Sequence, residues 1–315
     1  MQILGSNVNN FSCLCIFMLN IERIEDLAKI MKRLKYKPIS FDNPELFPEP
    51  DDYIYPNYVF FMVAIDHRTG FSKKWKYHGS DLLFYLARRK QIENPKFFTV
   101  ENLINIDPEE LRRIFTFRGE TVSRVEERAF LLRDCAEKLL KHYGGDVMNL
   151  FREADFTVES ILNRLKEFRA YEDPLMKKGY LLIKILKRQG LKLKDPHNLS
   201  FPIDNVLVKL ALSSGMINPG EDLMKKINSG ITLTEKETEI LRKMTEEALI
   251  ILSKKSGIEP DILDDILWTY GREIDSDKVS TPIDDRVDGN ALQDFLTFIR
   301  SRSVREIKFP PTWYF

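Results

Sequence analysis

The chain has 315 residues, 48 basic and 48 acidic, and a formal net charge of zero. That length holds one large or two small domains, and the 43% hydrophobic content can fill a sizeable core. The charge balance argues against loose binding along a nucleic-acid backbone, which needs a surplus of Lys and Arg on one face, but it leaves room for a local pocket holding one phosphate.

In chain order, the apolar stretch from Phe11 to Leu19 is far shorter than the roughly 20 residues a membrane helix needs. It reads as a strand or an apolar tether, so a soluble, cytoplasmic protein is expected. A short amphipathic helix follows at Ile24–Leu34. Prolines 38, 44, 48, 50 and 56 mark a strap or linker. The run Tyr58–Ile65 is apolar throughout, and periodicity alone leaves helix and strand both open. Further helices are expected at Ser80–Lys90, at Asp107–Phe115 with Asp107 as cap, at Thr121–Tyr143 stopped by Gly144 and Gly145, and at Thr157–Phe168. One more opens at Asp173-Pro174 and runs to about Gln189. Asp204–Ser214, Thr234–Ser256 with a Thr234/Glu237 capping box, Pro260–Glu273 and Gly289–Arg302 complete an almost all-α chain.

Glycine-rich nucleotide loops, zinc-protease motifs and nucleophile elbows are absent. The cysteines Cys13, Cys15 and Cys135 form no paired framework, which points to a reducing compartment. With four scattered histidines, neither a metal nor a cofactor is expected.

Asp204 sits in a Pro-x-Asp where a loop becomes a helix. The positive end of the helix dipole favours its ionised form, although most aspartates at such a position are simple caps. Asp66, His67 and Arg68 end an apolar run and could bind a phosphate or a sugar, or could form a surface turn. Trp75, Tyr77 and Trp268 could stack a base, or pack in the core. Asp264 and Asp265 could support a site or be exposed helix charges.

The segment FPIDNVLVKLALSSGMI (Phe201–Ile217) resembles the Pro-Val-Asp segment of the helix-hairpin-helix DNA glycosylases. PLMKKGYLLIKIL (Pro174–Leu186) is similar to the catalytic-lysine helix of archaeal 8-oxoguanine DNA glycosylases, which makes Lys178 the lysine. SGIEPDILDDILWTYGR (Ser256–Arg272) resembles their last helical segment. YHGSDLLFYLARRK (Tyr77–Lys90), EERAFLL (Glu126–Leu132) and KETEILRKMTEEA (Lys236–Ala248) resemble helices of the queuosine-5′-phosphate N-glycosylases, the queuosine salvage proteins. Pro202-Ile203-Asp204-Asn205 stands where those enzymes show Phe-Ala-Asp-Tyr.

The resemblance implies a helix-hairpin-helix DNA-glycosylase-like, two-lobed helical fold. Residues 1–56 would be an N-terminal helix and strap, 57–170 a first lobe and 171–315 a second, sharing one cleft. It implies an N-glycosylase acting on a modified nucleotide or nucleoside, with Asp204 stabilising an oxocarbenium ion and activating water. Asp66, His67, Arg68, Trp75, Tyr77, Asp264 and Trp268 would bind substrate, with Arg68 or His67 on a phosphate facing Asp204. A DNA glycosylase/AP lyase excising an oxidised purine, with Lys178 as nucleophile, is the alternative. A non-enzymatic helical binding protein is the third reading. A monomer with no membrane partner is expected.

Overall fold

The structure, a computed structural model, describes residues 19–34, 36–272, 274 and 289–314. Residues 11–18 of the apolar segment, with Cys13 and Cys15, lie outside the described residues. Leu19 forms an antiparallel bridge with Ile217. The described chain is mostly helical, with α1 (Ile21–Met31), α2 (Tyr55–Ile65), α3 (Ser80–Glu93), α4 (Val100–Leu103) and α5 (Pro108–Ile114) preceding a two-stranded hairpin of β1 (Thr116–Phe117) and β2 (Glu120–Thr121). Then come α6 (Val125–Tyr143), α7 (Val147–Glu153), α8 (Val158–Leu165), α9 (Lys177–Arg188), α10 (Asn205–Ser213), α11 (Glu221–Asn228), α12 (Glu235–Ser256), α13 (Pro260–Gly271) and α14 (Gly289–Ile299). None of the described helices is long and apolar enough to cross a membrane.

Two compact units divide the described residues, one formed by 39–202 with 312–314, the other by those of 1–38 with 203–311. The division at 202/203 places α9 in one unit with the residues before it.

In the 39–202 unit, α2 is the central helix. Nine of its residues, Tyr55 and Tyr58–Ile65, are buried, which explains a sequence that is apolar on every side. Pro56 in its first turn starts it without a lost hydrogen bond. The long helix α6 begins at Val125, not Thr121, because Thr121 itself is in β2, paired with Thr116. Arg118 and Gly119 both have positive φ, as a tight two-residue hairpin turn demands. Likewise α9 begins at Lys177, since the Asp173 carboxylate accepts from the Leu175 and Lys177 amides (3.2 and 2.9 Å) and turns Pro174–Met176 into its lead-in. Gly179 lets α9 approach α8: a Cβ there would lie 2.6 Å from Leu162 Cδ2.

In the other unit, α12 carries the expected capping box, with Thr234 and Glu237 each accepting from the other's amide. Helix α10 packs on α12 and α13, and α1 packs on α12 and α14. Gly271 allows the close α10–α13 approach, because a Cβ there would meet Val206 Cγ1 at 2.8 Å. The short helices α4, α7 and α11 are too brief to declare themselves by periodicity.

Candidate functional site

The chemistry-bearing side chains form two clusters, one in each unit. The first is built on the C-terminus of α2. The last carbonyls of a helix lack intrahelical donors, and here cations supply them. Lys178 Nζ, on α9, donates to Ala64 O at 2.6 Å. The guanidinium of Arg128, on α6, donates to the carbonyls of Ile65 and His67, and at 2.9 Å to Ser123 O. Lys177 Nζ reaches Asp66 O at 3.5 Å. Asp66 accepts from Ser80 Oγ at 2.6 Å.

His67 lies at the centre. Its Nε2 is 2.9 Å from Glu127 Oε1 and its Nδ1 is 3.2 Å from Lys178 Nζ. Lys178 and Arg128 are fully buried, and His67 nearly so. Burial, then the charges of Lys177 and Arg128, hold the Lys178 amine well below the ordinary lysine range. Burial, with Lys178 and Arg128 beside it, holds His67 well below the ordinary imidazole range. Burial also lowers Arg128, to about 10, with Asp66 and Glu127 opposing the shift. The dipole at the end of α2 favours an ammonium by up to about 2 kcal/mol. Full burial can shift a lysine by roughly 3–5 pKa units, each worth about 1.4 kcal/mol. Desolvation is therefore the larger effect.

The second cluster surrounds Asp204, which caps α10 and is buried. Its Oδ1 accepts from Leu207 N at 3.0 Å and its Oδ2 from the indole Nε1 of Trp268 at 3.0 Å. Trp268 is half-buried on α13 and lies beneath the Arg272 guanidinium, 4.4 Å from the ring centre. Arg242 of α12 donates through Nε and Nη2 to Ile203 O at 3.2 and 3.0 Å, which pins the turn just before Asp204. Asp264 and Asp265 are buried on α13, one turn before Trp268, rather than exposed.

The remaining expected residues belong to the first unit. Arg68 is half-buried, with its backbone in the left-handed region (φ 37°), a conformation locked by Ser123 Oγ, which donates to its carbonyl. Trp75 packs edge-on against Phe117 with Arg118 over its ring, and Tyr77 donates its hydroxyl to Glu45 Oε2 at 2.5 Å. Asp66, His67, Arg68 and Lys178 are thus brought together, whereas Trp75 and Tyr77 belong to the aromatic group around the β1–β2 hairpin. Cys135 is buried, and burial raises its thiol. Among the described residues, no group of three or more His, Cys, Asp or Glu could hold a metal ion.

Glu127, Arg128, Ser123 and Arg242 were not singled out as site residues from the sequence. Glu127 and Arg128 fall within the EERAFLL motif, but a charged residue on an amphipathic helix defaults to solvent. Only the burial of the α6 face toward α2 separates these two from their neighbours.

Residues 56–200 match the family model described as queuosine salvage protein. The match takes in Asp66, His67, Glu127, Arg128 and Lys178 and ends four residues before Asp204. The resemblance read from the sequence to the queuosine salvage proteins is shown over those residues. No curated protein matches the chain. Among solved structures, the 8-oxoguanine DNA glycosylase of Pyrobaculum aerophilum, complexed with 8-oxoguanosine, is similar at a TM-score of 0.48 and 14% sequence identity, over 95% of this chain and 97% of that one.

Proposed function

We propose that the protein is an N-glycosylase that hydrolyses the C1′–N bond of a modified-base nucleotide or nucleoside, with queuosine 5′-phosphate the first substrate to test. The observation that carries this reading is the Asp204 carboxylate, buried at a helix N-terminus with both oxygens accepting from N–H groups. Leaving of the base builds positive charge on the sugar. A carboxylate fixed beforehand stabilises that charge without reorganising, and it can accept a proton from attacking water. The family match over residues 56–200 supports the substrate class. The enzyme acts as a monomer in the cytoplasm.

One observation favours a second reading. Lys178 is a buried amine held well below the ordinary lysine range, which is the state a Schiff-base nucleophile requires. That reading makes the protein a DNA glycosylase with lyase activity on an oxidised purine. Incubation with queuosine 5′-phosphate, and borohydride treatment with an abasic-site oligonucleotide, separate the two. Free base from the nucleotide without trapping supports the first. Trapping that is lost in Lys178→Ala supports the second.

A further inference from the structure

The hydrogen bonds around His67 form an unbroken line from a partly exposed carboxylate to a fully buried amine. Glu127 has a quarter of its side chain in solvent and pairs with Arg124 at 3.2 Å. Its Oε1 is 2.9 Å from His67 Nε2, and His67 Nδ1 is 3.2 Å from Lys178 Nζ. The side chain of His67 has no exposure, and Lys178 has none either. A carboxylate only accepts, so the proton of a neutral His67 belongs on Nε2. Nδ1 is then a lone pair, and it faces a lysine whose other partner, Ala64 O, also accepts.

We propose that Glu127 and His67 are positioning residues for a neutral Lys178 amine: Glu127 fixes His67 as the Nε2–H tautomer, so that the Nδ1 lone pair accepts from Nζ. This deepens the lyase reading and rests on it for the use made of Lys178. The surroundings push the same way. Lys177 and Arg128 face both His67 and Lys178, Arg124 faces His67, and Asp66 and the neutral thiol of Cys135 face Lys178. Two cations near one buried amine disfavour a third charge.

The test is the tautomer of His67, read by long-range proton–nitrogen correlation in histidine-labelled protein. Only four histidines need assignment. No substrate is involved, so this result stands or falls apart from the lyase reading. The expected wild-type spectrum shows a protonated Nε2 and a bare Nδ1 at neutral pH. In Glu127→Ala, Nδ1–H should replace Nε2–H. If Lys178-dependent borohydride trapping is established, the rate of trapping with an abasic-site oligonucleotide should fall by about a hundredfold or more. A wild-type His67 protonated on Nδ1, or a Glu127→Ala variant with an unchanged tautomer, would overturn the proposal. Should Glu127→Ala fail to fold, the wild-type spectrum alone decides.

Discussion

The C-terminus of α2 and the N-terminus of α10 each hold an ionisable side chain of the sign the helix dipole favours, an amine at the negative end and a carboxylate at the positive end. The two ends nevertheless handle charge differently. At Asp204 the Leu207 amide in the first turn of α10 and the Trp268 indole both donate, so geometry and hydrogen bonding agree on an accepting carboxylate. At the end of α2, Lys177, Lys178 and Arg128 crowd onto the carbonyls of four consecutive residues, 64–67. There the burial of Lys178 outweighs the dipole, and its amine is held well below the usual range. A helix end favours a charge only while that charge remains solvated or has an opposite partner.

The comparison can be strained from several sides. The largest effect on stability is expected from Arg128→Ala, which strips charged donors from the carbonyls of Ile65, His67 and Ser123 in a fully buried setting. Urea unfolding should show a loss of about 3 kcal/mol or more. A loss under about 1 kcal/mol would mean that the α2 end does not depend on its guanidinium.

On the carboxylate side, Trp268→Phe keeps the ring but deletes the donor to Asp204 Oδ2. Loss of one such bond to a charged group is worth about 1.5–3 kcal/mol, so base release should fall by roughly tenfold to a hundredfold with the fold intact by circular dichroism. Unchanged kinetics would detach Trp268 from the carboxylate's work.

Lys178→Met addresses the charge itself. The folded-state pKa of Lys178 lies well below its unfolded value of 10.5. Between those two values the unfolded chain binds a proton that the folded chain does not. Wild-type stability should therefore rise with pH through that window, at up to about 1.4 kcal/mol per pH unit. Lys178→Met should flatten this rise between about pH 8 and pH 10. A slope identical to wild type would mean that Lys178 keeps its charge when folded, and that the contrast between the two helix ends is false.

Much of the architecture was legible because the helices obey local rules. The Thr234/Glu237 box, the Asp107 cap with Pro108, and the Gly144 stop are signals within one turn of the elements they bound. The hairpin at 116–121 was not, since its turn rests on a left-handed Arg118 that no residue preference announces. The same distinction runs through the candidate site. Asp204 stands out because Pro-x-Asp before an apolar helix is a local pattern, and the Leu207 amide bond follows from capping geometry. The Trp268 bond joins residues 64 positions apart. It exists because Gly271 lets α13 lie close on α10, a property of packing rather than of either segment. His67 read as the polar end of an apolar run. Its burial depends on α6 and α9 converging on that end, which periodicity cannot report.

The central claim, that the Asp204 carboxylate carries hydrolysis of an N-glycosidic bond, is tested most directly by Asp204→Asn. The asparagine oxygen can still accept from Leu207 N, so the cap and the fold should persist while the charge is lost. With queuosine 5′-phosphate as substrate, and release of free base followed by chromatography, the expected result is a fall in kcat of about a hundredfold or more with a melting temperature close to wild type. Near-wild-type release by a folded Asp204→Asn protein would contradict the claim.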